Sequence, residues 1–158
     1  MTKEISMADE NFTTFVKDIK TKILSSQYEA LKAVNKELIN LYWEIGKNIV
    51  EKQELFGWGK SVVQNLSHEL QKEFVGMKGF SVQNLWNMRY FYLEYHENEK
   101  LQTLSREIGW SHNIAIFQKT KDELEREFYI KMVIKFGWTY RVLDNHIDNK
   151  SYEKYLLN

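Results

Sequence analysis

Neither cysteine nor proline occurs in the 158 residues. The first absence excludes disulfides and thiolate metal sites and fits a reducing compartment. The second removes the residue that most strongly interrupts a helix, so long helices are permitted. No apolar run approaches membrane-spanning length, and Met1–Glu10 has no apolar core of the kind a secretion signal carries. A cytoplasmic location and no membrane contact are therefore expected. Excess charge is also missing: 22 basic residues balance 22 acidic ones. That balance argues against a strongly basic nucleic-acid binder, which would use surplus positive charge to release counterions. His68, His96, His112 and His146 show no ligand spacing, and no phosphate-cradling lysine loop or serine elbow appears. No catalytic residue, metal or cofactor is expected.

What is present points to helices. Apolar residues make up 43% and aromatics 15%, with five Trp, enough for one core built on large rings or a domain with a helical arm. From Asn11 to Gln53 the residues favour helix, with breaks expected only near Ser25–Ser26 and at Gly46. Leu31, Val34, Leu38, Leu41, Ile45 and Ile49 step mostly by three and four, one apolar stripe that needs a partner within this chain or on a second copy. Phe12, Phe15 and Ile19 begin a similar stripe, and Gly57-Trp58-Gly59 ends the arm.

Beyond the arm, Gly79-Phe80-Ser81, Gly109-Trp110-Ser111 and Gly137-Trp138-Thr139 repeat one pattern at spacings of 30 and 28. In each, glycine can close a helix in the left-handed conformation, and the hydroxyl can cap the next. The aromatic can pack on Leu85, Ala115 or Leu143 as a hydrophobic staple. With Thr120-Lys121-Asp122-Glu123 as a further cap, helices are expected at about 61–74, 81–95, 100–107, 111–118, 120–136 and 139–148. A polar, frayed end follows from 149. The fold class is all-α, a helical bundle with helix-turn-helix-like corners, a long N-terminal helix and no sheet.

The helix 81–95 is the candidate reader of DNA. At about 100° per residue, Leu85, Met88 and Tyr92 share one side, while Gln83, Asn87, Tyr90 and Glu94 share the other with Asn84 at its edge. Amides on a free face can pair bidentately with adenine. Lys78 before the helix and Lys60 and Lys72 on the preceding one would hold phosphates. Residues 56–92 also carry the largest positive excess, Lys60, Lys72, Lys78 and Arg89 against Glu69 and Glu73. The plainer reading is that amides on exposed helices are common and corner-joined helices often only pack. Arg89 falls on the apolar side, where a semi-buried ion pair with its stem on rings is expected. His112 reads as part of a helix first turn, and the carboxylates of 122–127 as a solvated face.

Leu41-Tyr42-Trp43-Glu44-Ile45-Gly46, Gly57-Trp58-Gly59-Lys60, Gly79-Phe80-Ser81 with Asn84-Leu85-Trp86-Asn87-Met88-Arg89, Leu101-Gln102-Thr103-Leu104-Ser105, Trp110-Ser111-His112 and Glu127-Phe128-Tyr129 follow one another in order. Together they resemble the N-terminal domain of the YhcG-like proteins, also called the DUF1016 family, from about Val16 to Leu156. The resemblance implies a helix-turn-helix-like DNA-binding module that relatives join to a C-terminal nuclease domain of the PD-(D/E)xK type. On that basis residues 1–27 are an N-terminal helical segment and 28–148 the domain proper, with its helix-turn-helix-like unit at 61–95. Residues 149–158 form a tail at the point where the nuclease domain would begin. Asp148-Asn149-Lys150 is a chance D-x-K, with no strand or second carboxylate to frame it.

Two functions follow as expectations. The first is a non-catalytic module that binds double-stranded DNA through Lys60, Lys72, Lys78, Gln83, Asn84, Asn87 and Tyr90 and directs an attached or associated nuclease. The second is an oligomerisation or protein-partner module, with the arm as the seam of a homodimer and no direct DNA contact.

Overall fold

A computed structural model describes residues 9–158. They form eight helices: α1 Glu10–Phe56, α2 Ser61–Glu73, α3 Val82–Tyr95, α4 Glu99–Ser105, α5 Trp110–Lys119, α6 Glu123–Phe136, α7 Tyr140–Asp148 and α8 Ser151–Leu156. Among the described residues there is no strand. The all-α expectation and the long first helix are met.

The chain divides into two compact units, meeting at Val34 and Asn35. The described part of the first is the opening stretch of α1. Asp9 starts it, its carboxylate accepting the Asn11 and Phe12 N–H groups at 2.8 and 3.3 Å. Phe15, Ile19, Ile23, Leu31 and Val34 of this stretch are all exposed.

In the second unit α1 continues without a break through Gly46, where an interruption was expected. The glycine is required by packing instead. A Cβ on Gly46 would lie 2.1 Å from the Met88 carbonyl oxygen, so α3 crosses α1 backbone to backbone at this point. The buried face of α1 is Ile39, Tyr42, Trp43, Gly46, Ile49 and Val50. The expected stripe does not find its partner within the chain: of Leu31, Val34, Leu38, Leu41, Ile45 and Ile49, only Ile49 is buried, while Leu31 is 70% exposed and Leu41 43%. Apolar residues occupy two adjacent faces of this helix, and periodicity alone does not say which one the chain itself covers. The face that won carries the rings and the close-approach glycine.

Of the three glycine–aromatic–hydroxyl corners, the last is built as read and the first keeps its hydroxyl cap, although Gly79 lies six residues past the end of α2. Ser81 caps α3 by accepting the Asn84 N–H, and Thr139 caps α7 by accepting the Val142 N–H. Gly137 closes α6 in the left-handed conformation, and Gly79 turns the chain at φ 108°. The middle corner differs. Gly109 is extended and itself precedes α5, so Ser111 lies inside the first turn rather than before it. The cap of α6 is Asp122, which accepts the Glu125 N–H, while the Thr120 hydroxyl donates back to the Ile116 carbonyl. A carboxylate at a helix N-terminus has both the acceptor and the favourable dipole, so it outcompetes the threonine two residues earlier.

The end of the chain is a helix rather than a frayed tail. The Tyr152 and Tyr155 rings of α8 lie 5.4 and 5.1 Å from Phe128 of α6, and the Tyr152 N–H donates to the Tyr129 hydroxyl. The principal core gathers Ile39, Trp43, Phe91, Tyr95, Ile116, Phe117, Tyr129 and Ile130. A second cluster, Tyr42, Ile49, Val63, Leu85 and Met88, joins α1, α2 and α3. Helix α3 contributes to both, which makes it the central helix of the unit.

Candidate nucleic-acid interface

The connection between α2 and α3 spans Phe74–Ser81. At eight residues it is longer than the three- or four-residue turn of a compact helix-turn-helix. It is nonetheless firmly tied. The buried Ser67 hydroxyl donates to the Phe80 carbonyl at 2.7 Å, and Gln71 donates to both Ser67 Oγ and that carbonyl. Asn84 Nδ2 donates to the Gly79 carbonyl at 2.7 Å, and Trp110 Nε1 donates to Asn84 Oδ1 at 2.7 Å. A Cβ on Gly79 would meet the Tyr42 hydroxyl at 2.4 Å. Burial raises the pKa of that hydroxyl, the Asn84 side chain pulling the other way. The start of α3 is thereby held by α1, α2 and α5 together.

The residues nominated as DNA contacts separate into two sets. Lys60, Lys72, Lys78 and Gln83 are exposed, at the start of α2, its last turn, the connection and the first turn of α3. Asn84, Asn87 and Tyr90 do not form the free amide face that the helical wheel placed there. Asn84 is spent on the turn. Asn87 is 8% exposed, and its Oδ1 accepts from Gln118 at 2.7 Å. The Tyr90 ring lies 5.5 Å from Phe117 and its hydroxyl donates to Glu94. Asn87, Tyr90 and Gln118 meet with Trp86 and Arg89 at a pocket of about 290 Å³. A central helix is covered on sides that an isolated wheel shows as free, and only its start, Ser81, Val82 and Gln83, is exposed.

Arg89 is half-buried against a ring, as expected, but its partner is an amide. Its Nε donates to Gln53 Oε1 at 2.7 Å, and the guanidinium carbon lies 5.5 Å from the Trp86 centroid. His112 is structural, its Nε2–H donating to the Trp138 carbonyl at 2.7 Å. Asp148 of the chance D-x-K pairs with Lys119 at 2.9 Å. Among the described residues no cluster of three or more His, Asp or Glu could hold a metal, and no helix is long and apolar enough to cross a membrane.

Sequence reasoning missed one polar residue of consequence. Arg126, set among carboxylates that read as a solvated face, is 2% exposed. Its Nη2 donates to Glu94 at 2.8 Å and to the Phe117 and Thr120 carbonyls at 3.1 and 2.7 Å, and Nε donates to Thr120 Oγ1. It thus satisfies the C-terminal carbonyls of α5 and ties α6 to α3. Its only signal in the sequence was a lone cation among four acids in 122–127. A concavity of about 500 Å³ is an apolar groove walled by Leu41, Ile45 and Ile49 of α1 and Val62, Leu66 and Leu70 of α2.

Comparison with known proteins places the helices in a family. Residues 18–154 match the model of the DUF1016 N-terminal domain. The chain belongs to that family. The "Putative nuclease YhcG" of Escherichia coli (strain K12) is 28% identical over 166 aligned positions, covering 85% of this chain and 44% of that protein. This chain therefore spans less than half the length of that relative. No solved structure matches it.

Proposed function

We propose that this DUF1016 N-terminal domain is a non-catalytic module that binds double-stranded DNA and directs nuclease chemistry, attached or associated, to it. The observation that carries the reading is the free first turn of α3. Ser81, Val82 and Gln83 are exposed at a rigidly held helix N-terminus, with Lys78 in the connection before it and Lys60 and Lys72 on α2. In helix-turn-helix proteins the N-terminal residues of the second helix reach the base edges, and a helix N-terminus suits phosphate. The name of the Escherichia coli relative supplies the nuclease association. Asn84, Asn87 and Tyr90 support this tip from behind rather than touching DNA.

Mixed duplexes titrated at low salt test the reading. Lys78→Ala weakens all sequences alike and lowers the salt slope by about one unit. Gln83→Ala costs about 1–3 kcal/mol of discrimination at one base position. Asn87→Ala leaves duplex discrimination unchanged and lowers stability, because it removes a buried side chain and its hydrogen bond to Gln118. No binding in the range on the order of 10–100 µM expected even of non-specific contact would end the proposal.

A second reading is favoured by the uncovered α1 seam. Leu31 and Val34 in the first unit and Leu38 and Leu41 in the second are exposed, spaced three and four apart. A second copy would offer the same spacing, as in a coiled-coil homodimer. Sedimentation of the parent and of Leu38→Glu tests it: a dimer that the substitution dissociates supports self-association, and a parent that stays monomeric at about 100 µM, a concentration that populates even weak dimers, removes it.

A further inference from the structure

Behind the exposed tip of α3, the same helix borders a second concavity. It measures about 370 Å³ and is walled by Gln53 and Glu54 of α1, the turn Trp58-Gly59-Lys60, and Trp86 and Arg89 of α3. One side chain organises it. Gln53 Oε1 accepts from Arg89 Nε, and Gln53 Nε2 donates to the Gly59 carbonyl at 3.3 Å. The amide thus ties the turn that carries Trp58 and Lys60 to the arginine across from it. The Arg89 guanidinium is further oriented by the Trp86 ring. Among the described residues no carboxylate pairs with Arg89, and no hydrogen bond takes its terminal Nη groups. A half-buried guanidinium held at Nε and on one face, with its fork unspent, is prepared for an oxyanion that accepts two N–H bonds. Lys60, exposed, adds a second cation. Trp58, 48% exposed and stacked on Phe56 at 4.8 Å between centroids, offers a rigid planar face at the mouth.

We infer that this pocket takes one unpaired nucleotide of a DNA strand, the phosphate on Arg89 and Lys60 and the base on the Trp58 indole. The volume lies within the range of small-ligand sites. Guanidinium plus exposed aromatic is the combination that single strands use, because every base has a face to stack. Val50 and Leu93 complete the wall with apolar side chains. Glu54 at the rim lowers the affinity for phosphate without blocking the Arg89 fork. The inference rests on the nucleic-acid reading above and extends it: the domain would prefer duplex with a frayed or single-stranded end over closed duplex.

The test titrates the full chain with a blunt duplex, the same duplex carrying a single-stranded thymidine tail, the tail alone and thymidine monophosphate. Fluorescence anisotropy reads affinity, and tryptophan quenching reads stacking. The tailed duplex binds about tenfold tighter than the blunt one, the effect of one stacked base. Trp58→Ala and Arg89→Lys each erase that preference and leave blunt-duplex affinity unchanged; the lysine keeps the charge but loses the fork and the ring contact. Trp58 is exposed, so its variant reports binding even where the Arg89 variant folds poorly. Equal affinity for tailed and blunt duplex, or a preference that survives Trp58→Ala, overturns the pocket while leaving the α3 tip standing. Tail binding that both variants abolish, with no blunt-duplex binding, supports the pocket and overturns the α3 tip. Thymidine monophosphate binding as tightly as the tail overturns the strand as occupant, and no binding to any probe overturns both readings.

Discussion

Replacing Arg126 by Ala is the sharpest test of how this fold is held. The guanidinium is 2% exposed and donates four hydrogen bonds, to the Glu94 carboxylate, the Phe117 and Thr120 carbonyls and Thr120 Oγ1. Its carbon also lies 5.4 Å from the Tyr95 centroid. Removing one partner of a buried ion pair costs about 3–5 kcal/mol, and each buried acceptor left unmatched about 1–3 kcal/mol as part of that loss. The Glu94 side chain is 28% exposed and regains water, which places the net cost in the lower part of the range, roughly 3–4 kcal/mol. At about 2–4 °C per kcal/mol for a domain of this size, melting falls by roughly 6–16 °C. Urea denaturation followed by circular dichroism measures it, with an unchanged slope showing that only stability moved. Arg126→Lys retains the charge but cannot reach all four acceptors, and falls between. A midpoint for Arg126→Ala equivalent to less than about 1 kcal/mol of loss would refute the argument, since surface substitutions already reach about half of that.

Two further substitutions test particular contacts. Gly46→Ala drives a methyl into the Met88 carbonyl and separates α1 from α3, costing about 1–3 kcal/mol by thermal melting in spite of the better helix propensity of alanine. Gly59→Ala, where a Cβ meets nothing within 4 Å, is the neutral control. The Lys100 ammonium, 2.6 Å from Glu127 and assisted by Lys131, holds the Glu127 carboxyl below its ordinary pKa. A pKa lowered on folding stabilises above the unfolded value and is lost as pH falls through the folded one, so this contribution disappears on acidification below the usual carboxylate range. Lys100→Ala flattens that acid limb in melts from neutral to acid pH, and an unchanged limb would show the pair to be inert.

The chemistry of helix ends was legible residue by residue. Ser81, Thr139 and Gly137 do what a hydroxyl acceptor and a residue without Cβ can do locally, and no distant contact was needed to read them. Gly109 and Thr120 show where local logic stops, since a neighbouring residue one or two positions away served the same need better. The ordered motifs from Leu41 to Tyr129 carried the family, because they combine such ends with the rings and glycines of the core.

Burial was not legible to the same depth. A helical wheel states which residues share a side; it cannot state how many sides are covered. Helix α3 is packed by α1, α2 and α5, so Asn84 and Asn87 became internal hydrogen-bonding groups although their spacing suits an exposed reading face. The same limit applied to α1, where two apolar faces compete and the aromatic one with Gly46 was chosen. The amino-acid sequence by itself determined the helices, most of their caps and the family, because capping and periodicity act over a few residues. Only the tertiary structure decided which faces are spent and which remain free, and so which of Lys78, Gln83 and Arg89 can meet a partner, because burial depends on packing between residues far apart in the chain.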